Sequence, residues 1–127
     1  MDPAIRILLI EDDPQLSRFM QTYLKQLGYI VELCMDGKSA LAAFERAPDQ
    51  FEVVVADLTL PDMSGQDLAI QLAEKDPKLR VLLSSGYTVP LNTLPENLRD
   101  RFGALQKPFL PNALTGSIEK LLKKNRQ

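Results

Sequence analysis

Apolar and polar positions alternate in blocks along this chain, and the blocks change period. Ile5 to Ile10 is an apolar run broken by one charge, and Phe51 to Asp57 is a Val-rich run that ends in a single carboxylate. Unbroken β-branched runs of this length are the pattern of strands buried on both faces, as in a parallel sheet. Tyr29 to Cys34, Arg80 to Ser85 and Ala104-Leu105-Gln106 read as further short strands. Between them the spacing changes to three and four. Leu16, Phe19, Met20, Tyr23, Leu24 and Leu27 predict a first helix that starts at Asp13-Pro14 and stops at Gly28. Asp36-Gly37 opens a second, with Ala40, Leu41, Ala43 and Phe44 on one face, closed near Pro48. Ser64-Gly65 opens a third, with Leu68, Ala69, Leu72 and Ala73, ending before Pro77. Pro90 and Pro95 interrupt the next stretch, leaving room for a short helix over Glu96 to Phe102. Leu114, Ile118, Leu121 and Leu122 mark a last helix that opens at Leu110-Pro111-Asn112. Five alternations of strand and helix predict an α/β fold: a parallel sheet with helices on both faces and right-handed crossovers.

Composition narrows the classes. The 127 residues suit a single domain over 1–127, and a formal net charge of -2 gives no bulk attraction to nucleic acid. Lys120, Lys123, Lys124 and Arg126 read as cations at a helix C-terminus. The sequence has no His, which excludes His-based catalysis and His metal ligands, and its one cysteine, Cys34, has no intrachain disulfide partner and fits a reducing compartment. No apolar run approaches the ~18 residues of a membrane span, and the N-terminus lacks the pattern of a signal peptide, so a cytoplasmic location is expected.

In a parallel sheet the carboxyl ends of all strands point to one edge, and chemistry gathers just past them. Four strand ends here carry polar groups: Glu11-Asp12, Asp57, Ser85 and Lys107. Three acids brought together repel and raise one another's pKa. A divalent cation removes the conflict, and a few carboxylates completed by water describe a Mg²⁺ site. Lys107 as a point charge and the Ser85 hydroxyl as a donor suit a phosphoryl group. A carboxylate in such company is able to attack phosphorus and form an acyl phosphate. Taken singly the residues are ordinary: Asp13 reads as a cap, Asp62 and Asp67 as turn and helix-start residues, Met20 and Met63 as filling, and Cys34 as a small hydrophobe.

Four strings together resemble the receiver domain of the response-regulator family, the phosphoacceptor module of two-component signalling. They are Leu8-Leu9-Ile10-Glu11-Asp12-Asp13; Val54-Val55-Ala56-Asp57 with Leu60-Pro61-Asp62-Met63-Ser64-Gly65; Leu82-Leu83-Ser84-Ser85-Gly86-Tyr87; and Gln106-Lys107-Pro108-Phe109. The resemblance covers essentially the whole chain and implies a flavodoxin-like (βα)5 three-layer sandwich, strand order 2-1-3-4-5. It implies that Asp57 is the phosphorylated residue, that Asp12 binds Mg²⁺ directly and Glu11 largely through water, and that the Thr59 carbonyl is a further ligand. Ser85 and Lys107 would contact the phosphoryl group, and the Lys107-Pro108 bond would be cis. The donor would be a phosphohistidine on a sensor histidine kinase or a histidine phosphotransfer domain. A homodimer through the face of the fourth helix, fifth strand and last helix is a further expectation. The strings around Ser85 and Lys107 are similar to receivers of hybrid histidine kinases, and no DNA-binding segment is present.

The sequence departs from the family pattern at the switch. The aromatic expected three residues before the lysine is Ala104, Phe102 reads as lying outside the strand, and Leu110 stands where a hydroxyl cap is usual. Tyr87 occupies a position that tunes water access, where a bulky ring would slow hydrolysis. Two other classes stay open. A haloacid-dehalogenase-like Mg²⁺-dependent phosphatase uses the same residue types, with the nucleophile first and the acidic pair last. A flavodoxin-like flavin binder or a non-phosphorylated pseudo-receiver shares the fold, although the acidic loop after the first strand would repel a flavin phosphate.

Overall fold

The computed structural model describes residues 4–124. Five strands, β1 (Arg6–Ile10), β2 (Ile30–Cys34), β3 (Val53–Asp57), β4 (Arg80–Ser85) and β5 (Phe102–Gln106), form one sheet. Every pairing is parallel and the order is β2-β1-β3-β4-β5. Four α-helices follow β1, β2, β3 and β5: α1 (Pro14–Gln26), α2 (Gly37–Arg46), α3 (Gly65–Lys75) and α4 (Pro111–Lys124). The (βα)5 order holds, with the fourth unit carried by two 3₁₀ segments, Leu91–Thr93 and Glu96–Arg101, in place of an α-helix. Arg126 of the basic C-terminal run lies outside the described residues.

Period-two alternation explains the two cores. Leu8, Ile10, Val54, Ala56, Val81, Leu83 and Phe102 point to the side of α2 and α3. Ile7, Leu9, Val53, Val55, Leu82 and Leu105 point to the side of α1 and α4. Because both faces are covered, β3 is buried at every residue, which is why it reads as a continuous apolar run. Each fully buried Leu, Val or Ile contributes roughly 1.5–3 kcal/mol.

The helices start where their caps allow. The Asp13 carboxylate accepts from Gln15 N (3.0 Å) and Leu16 N (3.2 Å), with Pro14 next in line. Gly28 ends α1 with φ of 97°, a conformation that favours glycine. Two expectations for this helix are corrected. Phe19 and Leu27 do not face the core but are 42% and 53% exposed. The buried stripe runs through Ser17, Met20 and Leu24; Phe19 lies one helical step off it and stacks on Tyr23 at 6.0 Å.

The segment between β4 and β5 differs most from the sequence reading. Phe102 is the first residue of β5 and 3% exposed, so the strand begins two residues earlier than its apolar triplet suggests. Arg101 holds the preceding turn: its guanidinium donates to the carbonyls of Ala73 (2.9 Å), Asp76 (2.9 Å) and Leu79 (3.0 Å) around the C-terminus of α3. Arg99 donates to Leu94 O and Asn92 O, both at 3.0 Å. These arginine side chains supplement the short-range backbone bonds of the 3₁₀ turns, such as Leu98 N to Pro95 O at 2.9 Å.

Candidate functional site

The register brings the polar strand ends level. Ile10 lies opposite Ala56, Asp57 opposite Ser84, and Ser85 opposite Gln106, so Glu11, Asp57, Ser85 and Lys107 all emerge at one edge. Glu11 and Asp57 are buried, at 1% and 8% exposure, while Asp12 is exposed. Glu11, Asp12 and Asp57 each present a carboxylate oxygen within 4.8 Å of the others, a set able to hold a cation.

Lys107 bridges two of the acids. Its Nζ donates to Glu11 Oε1 at 2.8 Å and to Asp57 Oδ2 at 3.1 Å. Three carboxylates against one ammonium leave two formal negative charges in a partly buried site. Burial pushes the Glu11 carboxyl above its usual range even though the Lys107 bond and the Asp13 N–H oppose it. Burial also works against the Lys107 ammonium, but its bonds to Glu11 and Asp57 outweigh that and raise it.

Backbone groups fix the remaining oxygens. Asp13 N donates to Glu11 Oε2 at 3.1 Å, and Thr59 N to Asp57 Oδ1 at 3.2 Å. The Ser85 hydroxyl, on a residue 5% exposed, accepts from Tyr87 N at 3.0 Å rather than bonding the acids. Lys107 N donates to Ser85 O at 2.7 Å, and the Lys107-Pro108 peptide is cis. The Tyr87 residue is 83% exposed. Exposure on this scale argues against the expectation that its bulk guards the site, which the phosphoryl lifetime tests.

The loop after Asp57 is tight. Thr59 and Ser64 form an antiparallel bridge and Gly65 N donates to Leu58 O at 2.8 Å. A Cβ on Gly65 would collide with the Asp57 carbonyl, so only glycine lets α3 start this close to the strand. Sequence reasoning assigned Asp62 to a turn. It lies in that bend, and its carboxylate also accepts from Gly37 N (2.8 Å) and Lys38 N (2.9 Å) at the start of α2, 25 and 24 positions away, which no local pattern announces. Beside the acids lies a groove of about 620 Å³ lined by Leu16, Phe19, Gly86, Lys107, Pro108 and Phe109, among others.

A sheet of this order with these acids and this lysine at its carboxyl edge can be compared with known proteins. A family model described as the response regulator receiver domain matches residues 7–119. The chain belongs to the response regulator receiver domain family. Among curated relatives, this receiver is 36% identical over 118 residues to the response regulator receiver protein CpdR of Brucella abortus (strain 2308), covering 92% of this chain and 96% of that protein. It is 32% identical to the aerobic respiration control sensor protein ArcB of Escherichia coli (strain K12), covering 93% of this chain but 15% of ArcB. A CheY-like receiver domain protein from Methanospirillum hungatei JF-1 superposes with a TM-score of 0.84 at 26% identity, covering 98% of both chains. The domain thus acts in two-component signalling, in which receivers work with sensor kinases. No described helix is long and apolar enough to cross a membrane.

Proposed function

We propose that this receiver domain takes a phosphoryl group from a partner phosphohistidine onto Asp57 in a Mg²⁺-dependent reaction, then relays it or switches. The observation that carries the reading is the Glu11–Lys107–Asp57 bridge with Asp12 beside it, two formal negative charges in excess at the sheet edge. The donor set is all oxygen and partly open, which suits Mg²⁺ with its retained waters. Asp12, Asp57, the Thr59 carbonyl and, largely through water, Glu11 are its proposed ligands. When bound, the ion neutralises charge on the transferring phosphoryl oxygens.

The chain's own residues do the rest. An Asp57 carboxylate oxygen forms the new O–P bond as the donor's P–N bond breaks, and the electron pair returns to the imidazole nitrogen. Thr59 N, bonded to Oδ1, orients the carboxylate. Lys107 pairs with the phosphoryl oxygens and the Ser85 hydroxyl donates to one of them. The groove between the α1 N-terminus and Phe109 adjoins Lys107, and its apolar walls Leu16 and Phe19 suit docking of the histidine-bearing partner, a sensor kinase or phosphotransfer domain. Signal output runs through the Gly86–Arg101 stretch, because the exposed Ala104 has no ring to move. A homodimer would use the face of the 3₁₀ segments, β5 and α4, where Leu82, Leu91, Phe102 and Leu121 line a groove of about 300 Å³. The location is cytoplasmic, free or tethered to a membrane sensor as in a hybrid kinase.

The test is labelling with acetyl phosphate. Wild type is expected to gain one phosphoryl group with Mg²⁺ and none with chelator, and Asp57→Ala to gain none. Steady turnover of p-nitrophenyl phosphate lost in Asp57→Ala would instead support the phosphatase, and failure to label would leave a pseudo-receiver.

A further inference from the structure

The loop that follows Asp57 is fastened at two levels. At its base are the Thr59–Ser64 bridge and the Gly65–Leu58 bond. At its tip the two Asp62 oxygens take one N–H each from the first turn of α2, Gly37 and Lys38. The next residue, Met63, lays its sulfur against Gly37 so closely that a Cβ there would displace the Met63 side chain. Two consecutive loop residues are therefore seated on one residue of a neighbouring helix.

α2 needs that seat. It is a 10-residue helix that starts on glycine, too short to be stable alone. Its first N–H groups have no intrahelical acceptor. Its own cap, Asp36, accepts from Ser39 N at 2.8 Å and leaves Gly37 and Lys38 to Asp62. The Asp62 charge also sits at the positive end of the helix dipole. Pro61 and Asp62 are exposed, so at the loop tip the bonds to α2 add to the packing of Leu60 and Met63 against the core.

We propose that Asp62 is a positioning residue for the acceptor site: by anchoring the loop to the N-terminus of α2 it sets where Thr59 stands beside Asp57. The inference rests on the phosphoacceptor reading and assigns Asp62 no contact with the phosphoryl group. Groups that orient metal ligands typically change metal affinity by tenfold or more when removed. The coupling is also reciprocal, so an ion bound at the acids must tighten the start of α2.

Asp36→Ala is the control. It removes a cap from the same helix without touching the loop, so a merely structural role for Asp62 would make the two variants alike. Mg²⁺ affinity is read by calorimetry and amide exchange at Gly37 and Lys38 by NMR, on the intact chain. Asp62→Ala is expected to bind Mg²⁺ about tenfold more weakly, with Asp36→Ala near wild type and Asp62→Asn, which keeps one acceptor oxygen, between them. Mg²⁺ is expected to slow exchange at Gly37 and Lys38 in wild type and in Asp36→Ala. Equal Mg²⁺ affinity in Asp62→Ala, Asp36→Ala and wild type overturns the inference alone. A wild type that binds no Mg²⁺ removes the phosphoacceptor reading and this inference with it.

Discussion

Gly65 has its Cα against the carbonyl of Asp57, and the smallest possible side chain there would strike backbone rather than a yielding side chain. Gly65→Ala is therefore expected to lower stability by about 1–3 kcal/mol and to shift the Asp57 carboxylate, read as a lower urea midpoint together with slowed acetyl-phosphate labelling. Tyr87 gives the opposite forecast. Its N–H bonds Ser85 whatever the side chain, and the residue is 83% exposed. Tyr87→Ala is expected to leave the phosphoryl lifetime within about twofold of wild type, since an exposed surface substitution changes little; a much shorter lifetime would restore a shielding role. Asp36 has a pH signature. The Ser39 hydroxyl and N–H hold its carboxyl below the usual aspartate range. A folded pKa below the unfolded one adds stability at neutral pH, lost as pH falls through the folded value. The gap in melting temperature between wild type and Asp36→Ala is expected to be full near neutrality and to close in acid. At this scale the sequence was legible for Glu11, Asp12, Asp57 and Lys107, because a strand end fixes where such a side chain emerges. The bonds of Asp62 to α2 were not legible, because its partners belong to another helix and its neighbours, Pro61 and Ser64, spell only a turn.

Elements with a strong period lie within a residue or two of their patterns, and the short helix expected over Glu96 to Phe102 is there as the 3₁₀ segment Glu96–Arg101, whereas no pattern marks the 3₁₀ segment Leu91–Thr93 or the early start of β5. β1, β2 and β3 each begin one or two residues later than their apolar runs; Ile5, Tyr29 and Phe51 pack against the cores just before the strands, and Ile5 O accepts from Ile30 N at 2.9 Å. The Glu96–Arg101 segment forms a 3₁₀ turn whose geometry depends on Arg101 reaching carbonyls 22 to 28 positions away. Nothing local encodes such contacts. Arg101→Ala is expected to cost about 2 kcal/mol by orphaning these carbonyls, with faster amide exchange confined to the turn and the end of α3. Phe102 begins β5 in the core beside Leu98, while Ala104, two residues on, is exposed where a fourth helix would lie. An output through this region then falls to the loop that leaves Ser85. NMR shifts on adding beryllofluoride are expected to spread over 86–101; shifts confined to the acids and Lys107 would contradict that route.

Across the whole molecule, the parallel order β2-β1-β3-β4-β5 sends every polar strand end to one edge, and both cores lie away from it. Stability and chemistry are therefore separable: Asp57→Ala removes one of three crowded acids and is expected to leave the unfolding midpoint near wild type while abolishing labelling. The fold class was readable from five alternations of period because each buried strand and each amphipathic helix constrains the next. The central claim is that Asp57 becomes an acyl phosphate. The most direct measurement is borohydride reduction of the acetyl-phosphate-treated protein followed by peptide mass spectrometry, which converts a phosphorylated aspartate to homoserine. Homoserine at position 57 alone, and only when Mg²⁺ was present, is the expected result; homoserine at Asp12 or another acid, or at none, would contradict it.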